Sequence, residues 1–213
     1  MVGTVDSAHY WDRAARRYAA SPVADPAGYE RTLERTRALL QPGDRVLELG
    51  CGTGTTALWL ADGVRDYLAT DISAGMIAIA EEKYAAAPVP ALTFRAATAE
   101  ALAPGAEPFN AVLGFNYLHL VRDLPGTLHL IHALLAPEGL FISKTPCVGE
   151  MNVLIRLALL PAMRLIGLAP YAGVFTEAEL DRQISAAGFE VLACENHAGK
   201  GNDHRPFVVA RRR

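Results

Sequence analysis

The chain is poor in cysteine, has little net charge, and contains no long apolar run free of charge. Cys51, Cys147 and Cys194 form an odd, widely spaced set that matches neither a disulfide framework nor a zinc-ligand spacing. They do not cluster as an arsenic site would, and they point to a reducing, cytoplasmic setting. A formal net charge of −3 gives no general attraction for nucleic acid. The one dense basic cluster, Ala210–Arg213, reads as a solvated tail. The opening stretch "MVGTVDSAHYWDRAARRY" has no apolar centre and is charged early, so it is not expected to be a secretory leader. The longest apolar stretch, Met151 to Ala169, is interrupted by Arg156, Pro161 and Arg164. An arginine in mid-membrane costs about 2.5–3.5 kcal/mol on the insertion scale, so stable membrane insertion is not expected.

What is present is an ordinary globular composition. Of 213 residues, 51% are hydrophobic and 20% charged, enough for one domain with a proper core. Helical spacing of Tyr10, Trp11, Ala14, Ala15 and Tyr18 predicts a helix over 6–20, and a second is expected from Tyr29 to Leu40. From "RVLEL" onward, short apolar runs alternate with helix-like segments: "DYLAT", "ALTFRAA", "FNAVLGFN" and "LFISKT" read as strands. "LPGTLHLIHALLAPEG" reads as a helix closed by its Pro-Glu-Gly. Such alternation implies parallel strands joined by helices on both faces of a sheet. Thr176 with Glu179 marks the start of a late helix that Gly188 stops. "EVLACENH" and "RPFVVARR" follow with only "AGKGND" between them, too short for a crossover helix, so that pair should be antiparallel. Residues 1–213 read as one domain, with N-terminal helices over 1–42 and one apolar insertion at 148–175.

Chemistry concentrates in "ELGCGTG". In a sheet of this kind, ligands bind at the carboxyl ends of the strands, near the point where strand order reverses. Gly50, Gly52 and Gly54 give GxGxG, and Thr55 stands where a dinucleotide turn needs its third glycine. A phosphate loop needs a lysine, and none follows. Glu48 is acidic on an otherwise apolar strand; it would repel a pyrophosphate and suits a cation. Asp71 ends the second strand in "LATDIS", a place where a carboxylate accepts hydrogen bonds from ribose hydroxyls. A ribose, a positive charge and no phosphate describe S-adenosylmethionine.

At "VLELGCGTG", "TDIS", "AEAL", "FNAVLGFNYLHLV" and "LLAPEGLFI", the sequence resembles the class I S-adenosylmethionine-dependent methyltransferases, from about Arg45 to the C-terminus. The bacterial small-molecule type, which includes quinone- and natural-product-type enzymes, is the nearest resemblance. It implies an α/β fold: a Rossmann-like, seven-stranded, mostly parallel sheet with an antiparallel last strand and helices on both faces. It implies that Glu48, Gly50, Cys51 and Gly52 line the methionine part, that Asp71 holds the ribose, and that Ile72 and Met76 border the adenine. Thr98 stands where the family carries an aspartate toward the adenine amino group, with the Ala99 amide beside it. Phe115 and Asn116 would lie close to the methyl group, and Tyr10 and Tyr18 would close over the cofactor. The product would be S-adenosylhomocysteine.

Methyl transfer from a sulfonium is an in-line displacement, so alignment dominates and no universal triad is needed. His119, just past the fourth strand, is the candidate base; His197, Asp203 and His204 are expected on a surface loop, and His129 and His132 on a covering helix. "FNYLHL" lacks the Asn-Pro-Pro-Tyr motif used on amide or nucleobase nitrogens, so a small, apolar acceptor is expected and nucleic acid is not. The insertion reads equally as a substrate lid or as a homodimer or core-packing face. A nicotinamide-dependent oxidoreductase and a non-catalytic S-adenosylmethionine-binding protein are the alternatives.

Overall fold

The computed structural model describes residues 2–102, 107–150 and 171–213, with side chains from residue 7 onward. The chain runs α1 (Val2–Ala20), α2 (Pro26–Leu39), β1 (Arg45–Leu49), α3 (Thr55–Leu60), β2 (Asp66–Asp71), α4 (Ala74–Ala86), β3 (Leu92–Ala96) and β4 (Phe109–Phe115). It continues with α5 (Leu124–Leu134), β5 (Leu135–Lys144), α6 (Glu177–Ala186), β6 (Phe189–Glu195) and β7 (Phe207–Arg212). The insertion from 151 to 170 lies outside the described residues.

The strands form one seven-stranded sheet in the order β3-β2-β1-β4-β5-β7-β6. β1 to β5 pair in parallel, and β7 pairs antiparallel with both β5 and β6. The expected sheet is the observed one. Strand order reverses between β1 and β4, so the carboxyl ends of these two strands open the crevice where a ligand fits.

Alternation along β1 builds both faces. Leu47 and Leu49 pack with Leu128, Ile131, Phe141 and Ile184 beneath α5 and α6. Val46 packs with Ala57, Leu60, Tyr67 and Ile77 beneath α3 and α4. Helix starts follow local chemistry: Ser73 Oγ accepts from Met76 N at 3.0 Å, and Asp123 Oδ1 accepts from Gly126 N at 2.9 Å. Thr176 and Glu179 form the anticipated reciprocal capping box of α6.

One expectation is corrected. "LAPEG" does not close helix α5, which ends at Leu134; Leu135 is already extended and opens β5. Pro137 drives Ala136 away from helical backbone and cannot donate to the ladder. The β4–β5 register therefore shifts between Phe109↔Leu135 and Ala111↔Leu140. Glu138 takes φ 63° in the resulting kink, and its carboxylate reaches Arg211 at 3.3 Å.

Candidate functional site

Two adjoining cavities lie at the carboxyl ends of the parallel strands. One, of about 650 Å³, is walled by Asp71, Ile72, Met76, Thr98, Ala99 and His119. The other, of about 1050 Å³, is walled by Glu48, Cys51, Thr53, Tyr29 and Lys144. Tyr18, Gly50, Gly52, Phe115, Asn116 and Arg205 line both, so the cavities meet over the glycine turn and the end of β4.

The turn is possible only because of its glycines. Gly50 and Gly52 hold φ 70° and 54°, in the left-handed region. A Cβ on Gly50 would stand 2.8 Å from Tyr117 Cδ2, whereas one on Gly52 would meet nothing nearer than Tyr18 at 3.8 Å. Gly50 therefore admits Tyr117 against the turn, and Gly52 keeps the cavity wall thin. Gly54 serves packing: a Cβ there would lie 2.7 Å from Ala80 and Phe94.

Asp71 links β2 to this turn. Its Oδ2 accepts from Gly52 N at 2.9 Å and its Oδ1 from Ser73 N at 2.9 Å. Burial raises its pKa, and the two N–H donors oppose that rise. Each carboxylate oxygen keeps a lone pair for a further donor. Glu48 is 2% exposed and accepts from Tyr67 Oη at 2.9 Å, the pair lying on the α3–α4 face of the sheet. Burial pushes its pKa up to about 7, and the Asp71 carboxylate adds to the shift. A cation entering here meets two buried carboxyl groups. Cys51 is buried, and burial pushes its thiol far above the usual range, so it is a neutral packing group.

Helix α1 forms one wall. Ser7, Trp11 and Tyr18 line the smaller cavity, whereas Tyr10 packs edge-on against Trp11 at 5.2 Å. The helix is held by Asp12, whose Oδ1 accepts from Ser73 Oγ at 2.6 Å and from Gly75 N at 2.9 Å. This anchor escaped the sequence reading; an aspartate two residues before the Ala14–Ala15 pair was its only signal.

At the end of β4, Asn116 adopts φ 51°, and its N–H donates to Lys144 O at 2.7 Å. Asparagine tolerates this backbone better than other residues with a side chain. Among the described residues, the Asn116 amide side chain has no hydrogen-bond partner. His119 follows on a short 3-10 turn, its Nδ1 3.1 Å from Thr145 Oγ1. Burial, with Arg205 nearby, lowers its pKa to about 4, so the ring is neutral at pH 7.

The remaining histidines lie elsewhere. His197 is not on the surface as expected: it is 2% exposed, stacked on Phe207, with Nδ1 3.1 Å from Thr32 Oγ1 and Nε2 3.0 Å from Glu195. Placing α2 over β6 and β7 buries it. His204 pairs with Glu177, His129 with the Pro125 carbonyl, and His132 packs on Phe189. Lys144 and Arg205 were missed: Lys144 ends β5 at the ligand edge, a signal the strand rule offers, whereas Arg205 reaches the cavity only through the packing of the loop before β7.

The donors and acceptors fit S-adenosylmethionine: a glycine turn with open space above it, a carboxylate with free lone pairs at the end of β2, a second buried acid, and apolar Ile72 and Met76. Fold and site together define the class I S-adenosylmethionine-dependent methyltransferases. Residues 10–193 match the family model described as a methyltransferase domain, and the chain belongs to that family. It is 30% identical over 154 residues to a ubiquinone biosynthesis O-methyltransferase of Azorhizobium caulinodans, covering 70% of this chain and 60% of that relative's length. The corresponding enzyme of Sinorhizobium fredii is 28% identical over 185 residues, covering 80% of this chain and 73% of that one. A magnesium protoporphyrin IX methyltransferase from Synechocystis PCC 6803 with bound SAH superposes with TM-score 0.72 at 20% identity, covering 100% of this chain and 98% of that one. A nicotinamide oxidoreductase is not favoured by these relationships. Among the described residues, no helix is long and apolar enough to cross a membrane.

Proposed function

We propose that the chain transfers a methyl group from S-adenosylmethionine to a small acceptor with an apolar body, by in-line displacement at the junction of the two cavities. The observation that carries this reading is the meeting of the glycine turn, Asp71 and the end of β4 around one continuous space. When bound, S-adenosylmethionine supplies an electrophilic methyl group on a positively charged sulfur.

The chain's own residues then hold and orient. Asp71 accepts from the ribose while bracing Gly52. Ile72 and Met76 take one side of the adenine, and Thr98 and Ala99 the other edge. Glu48, ionised by the nearby positive charge, stabilises the methionine end. Phe115 and Tyr117 give the acceptor an apolar wall, and Asn116 presents a polar group beside it. Tyr18 and Trp11 on α1 cover the opening and exclude water. His119, neutral and hydrogen-bonded through Nδ1, is positioned to take a proton from the acceptor at Nε2; its lowered pKa makes it a weak base, suited to an acidic acceptor proton.

Cavities of this size enclose small molecules and not polymers, which supports a small-molecule acceptor. Residues 171–175, the described end of the insertion, support its reading as a cover: Gly173 N donates to His119 O at 2.7 Å, and Arg122 lies 4.9 Å over the Tyr171 ring, at the His119 end of the cavity. Three unpaired cysteines support a cytoplasmic location.

The test is calorimetric titration with S-adenosylhomocysteine and with NAD(H), followed by turnover of S-adenosylmethionine against phenols, amines and thiols. Binding of the first ligand alone, with turnover on one acceptor class, is the expected result. Tight binding without turnover on any acceptor refutes catalysis and leaves a binding protein.

A further inference from the structure

Lys83, Lys144, Lys200 and Arg205 line the larger cavity, and Lys83 is taken by Thr53 and Thr55 beside the glycine turn. Lys144 is the last residue of β5 and pairs with Phe115 of β4, so it stands beside the point where the acceptor meets the methyl group. Its Nζ donates to Thr32 Oγ1 at 3.3 Å. Arg205 stands just before β7 and lines both cavities. Among the described residues, no carboxylate oxygen lies within the 4.0 Å ion-pair distance of either side chain.

The nearby acids are committed elsewhere. Asp25 takes the N–H groups of Gly28 and Gly199, and Asp203 takes the N–H of Arg205 itself. Both still act on Lys144 from a distance, against the repulsion of Arg31 and Arg205. Residues 103–106 and 151–170 contain no Asp or Glu, and Asp6 is the one acidic residue whose side chain lies outside the described ones. Burial lowers the Lys144 pKa and outweighs the distant acids, the mark of a cation whose solvation is incompletely replaced. An anion at this place would restore it.

Strand order decides whose anion it is. Along β2-β1-β4-β5, the ribose acceptor is on β2, the glycine turn on β1 and the methyl-facing residues on β4. Lys144 lies one strand further, beyond the methyl-facing residues, and lines the larger cavity that meets the smaller one at Phe115 and Asn116. We propose that Lys144 and Arg205 bind an ionised acid group of the acceptor, so that the substrate class is small organic acids with an apolar body. This rests on the methyltransferase reading and narrows it. The second source of the same chemistry is the methionine carboxylate of the cofactor, and the experiment separates the two.

The protein is loaded with S-adenosylhomocysteine and titrated by calorimetry with hydroxybenzoates, hydroxycinnamates and short hydroxy fatty acids, each beside its neutral amide. At least one acid is expected to bind about tenfold more tightly than its amide, the scale of one charge-assisted hydrogen bond. Lys144→Met and Arg205→Met should each bring that ratio toward one while leaving affinity for S-adenosylhomocysteine nearly unchanged; melting temperature checks that each variant is folded. The proposal is overturned if acids and amides bind alike, if no acid binds the loaded protein, or if the variants weaken S-adenosylhomocysteine and keep the acid preference. That last result would hand the cations to the methionine carboxylate. Wild-type protein that fails to bind S-adenosylhomocysteine brings down the methyltransferase reading and this proposal together.

Discussion

Gly52 N donates to Asp71 Oδ2 at 2.9 Å, so the residue proposed to grip the ribose also holds the glycine turn in place. Removing the side chain deletes a ligand contact and loosens the loop that shapes the cavity floor. Asp71→Ala is therefore expected to weaken S-adenosylhomocysteine by about 1.5–3 kcal/mol, the scale of a hydrogen bond to a charged group. Calorimetry reads this directly, and unchanged affinity would remove Asp71 from the site.

Glu48 supplies a pH dependence with a definite sign. Its folded pKa stands near 7, above the ordinary 4.5, so the empty protein loses stability as pH rises from 4.5 to about 7 and is flat above. Cofactor binding behaves oppositely, because a cation favours the ionised carboxylate. Affinity for S-adenosylhomocysteine, which carries an ammonium group, should rise roughly tenfold from pH 6 to pH 8, following the ionised fraction. Glu48→Gln should flatten both profiles; a wild-type affinity independent of pH over this range contradicts the assignment.

Asp12 fastens α1 to the start of α4 through Ser73 and Gly75. Loss of an N-terminal cap of this kind costs about 0.5–2 kcal/mol. Asp12→Ala should speed hydrogen exchange in α1 and weaken the cofactor, because Trp11 and Tyr18 are carried by that helix. Exchange in α5, on the opposite face of the sheet, should stay unchanged; if α1 exchanges as slowly as before, Asp12 is no latch.

His119 is neutral throughout the physiological range because its folded pKa is held near 4. Below its ordinary value of 6.5 the unfolded chain takes up a proton that the folded chain refuses, so stability falls as pH drops from 6.5 toward 4. His119→Gln should make that acid slope shallower. If His119 accepts the acceptor's proton, the same change lowers kcat by roughly a hundredfold or more and spares affinity for S-adenosylhomocysteine. Equal kcat in the variant assigns the ring to packing alone.

Local chemistry was legible in the sequence wherever its cause is local. Gly50 and Gly52 announce a left-handed turn because other residues strain there, and Thr176 with Glu179 announces a helix start through its own hydrogen bonds. The short "AGKGND" connection forced the last pair to be antiparallel, and Asp71 was placed by the strand it ends. "LAPEG" misled because its turn residues end a helix and kink a strand equally well; the β4 partner decided between the two.

By itself the sequence determined the α/β alternation, the glycine turn and the acid beside it, since period, steric freedom and charge are written residue by residue. Only the tertiary structure decided that His197 is buried between α2 and β7, that Asp12 pins α1 across 61 positions to Ser73, and that Lys144 and Arg205 share a cavity wall. Those relationships join distant segments through the folded sheet, and a cation's distance from the described carboxylates exists only once each has its place in space.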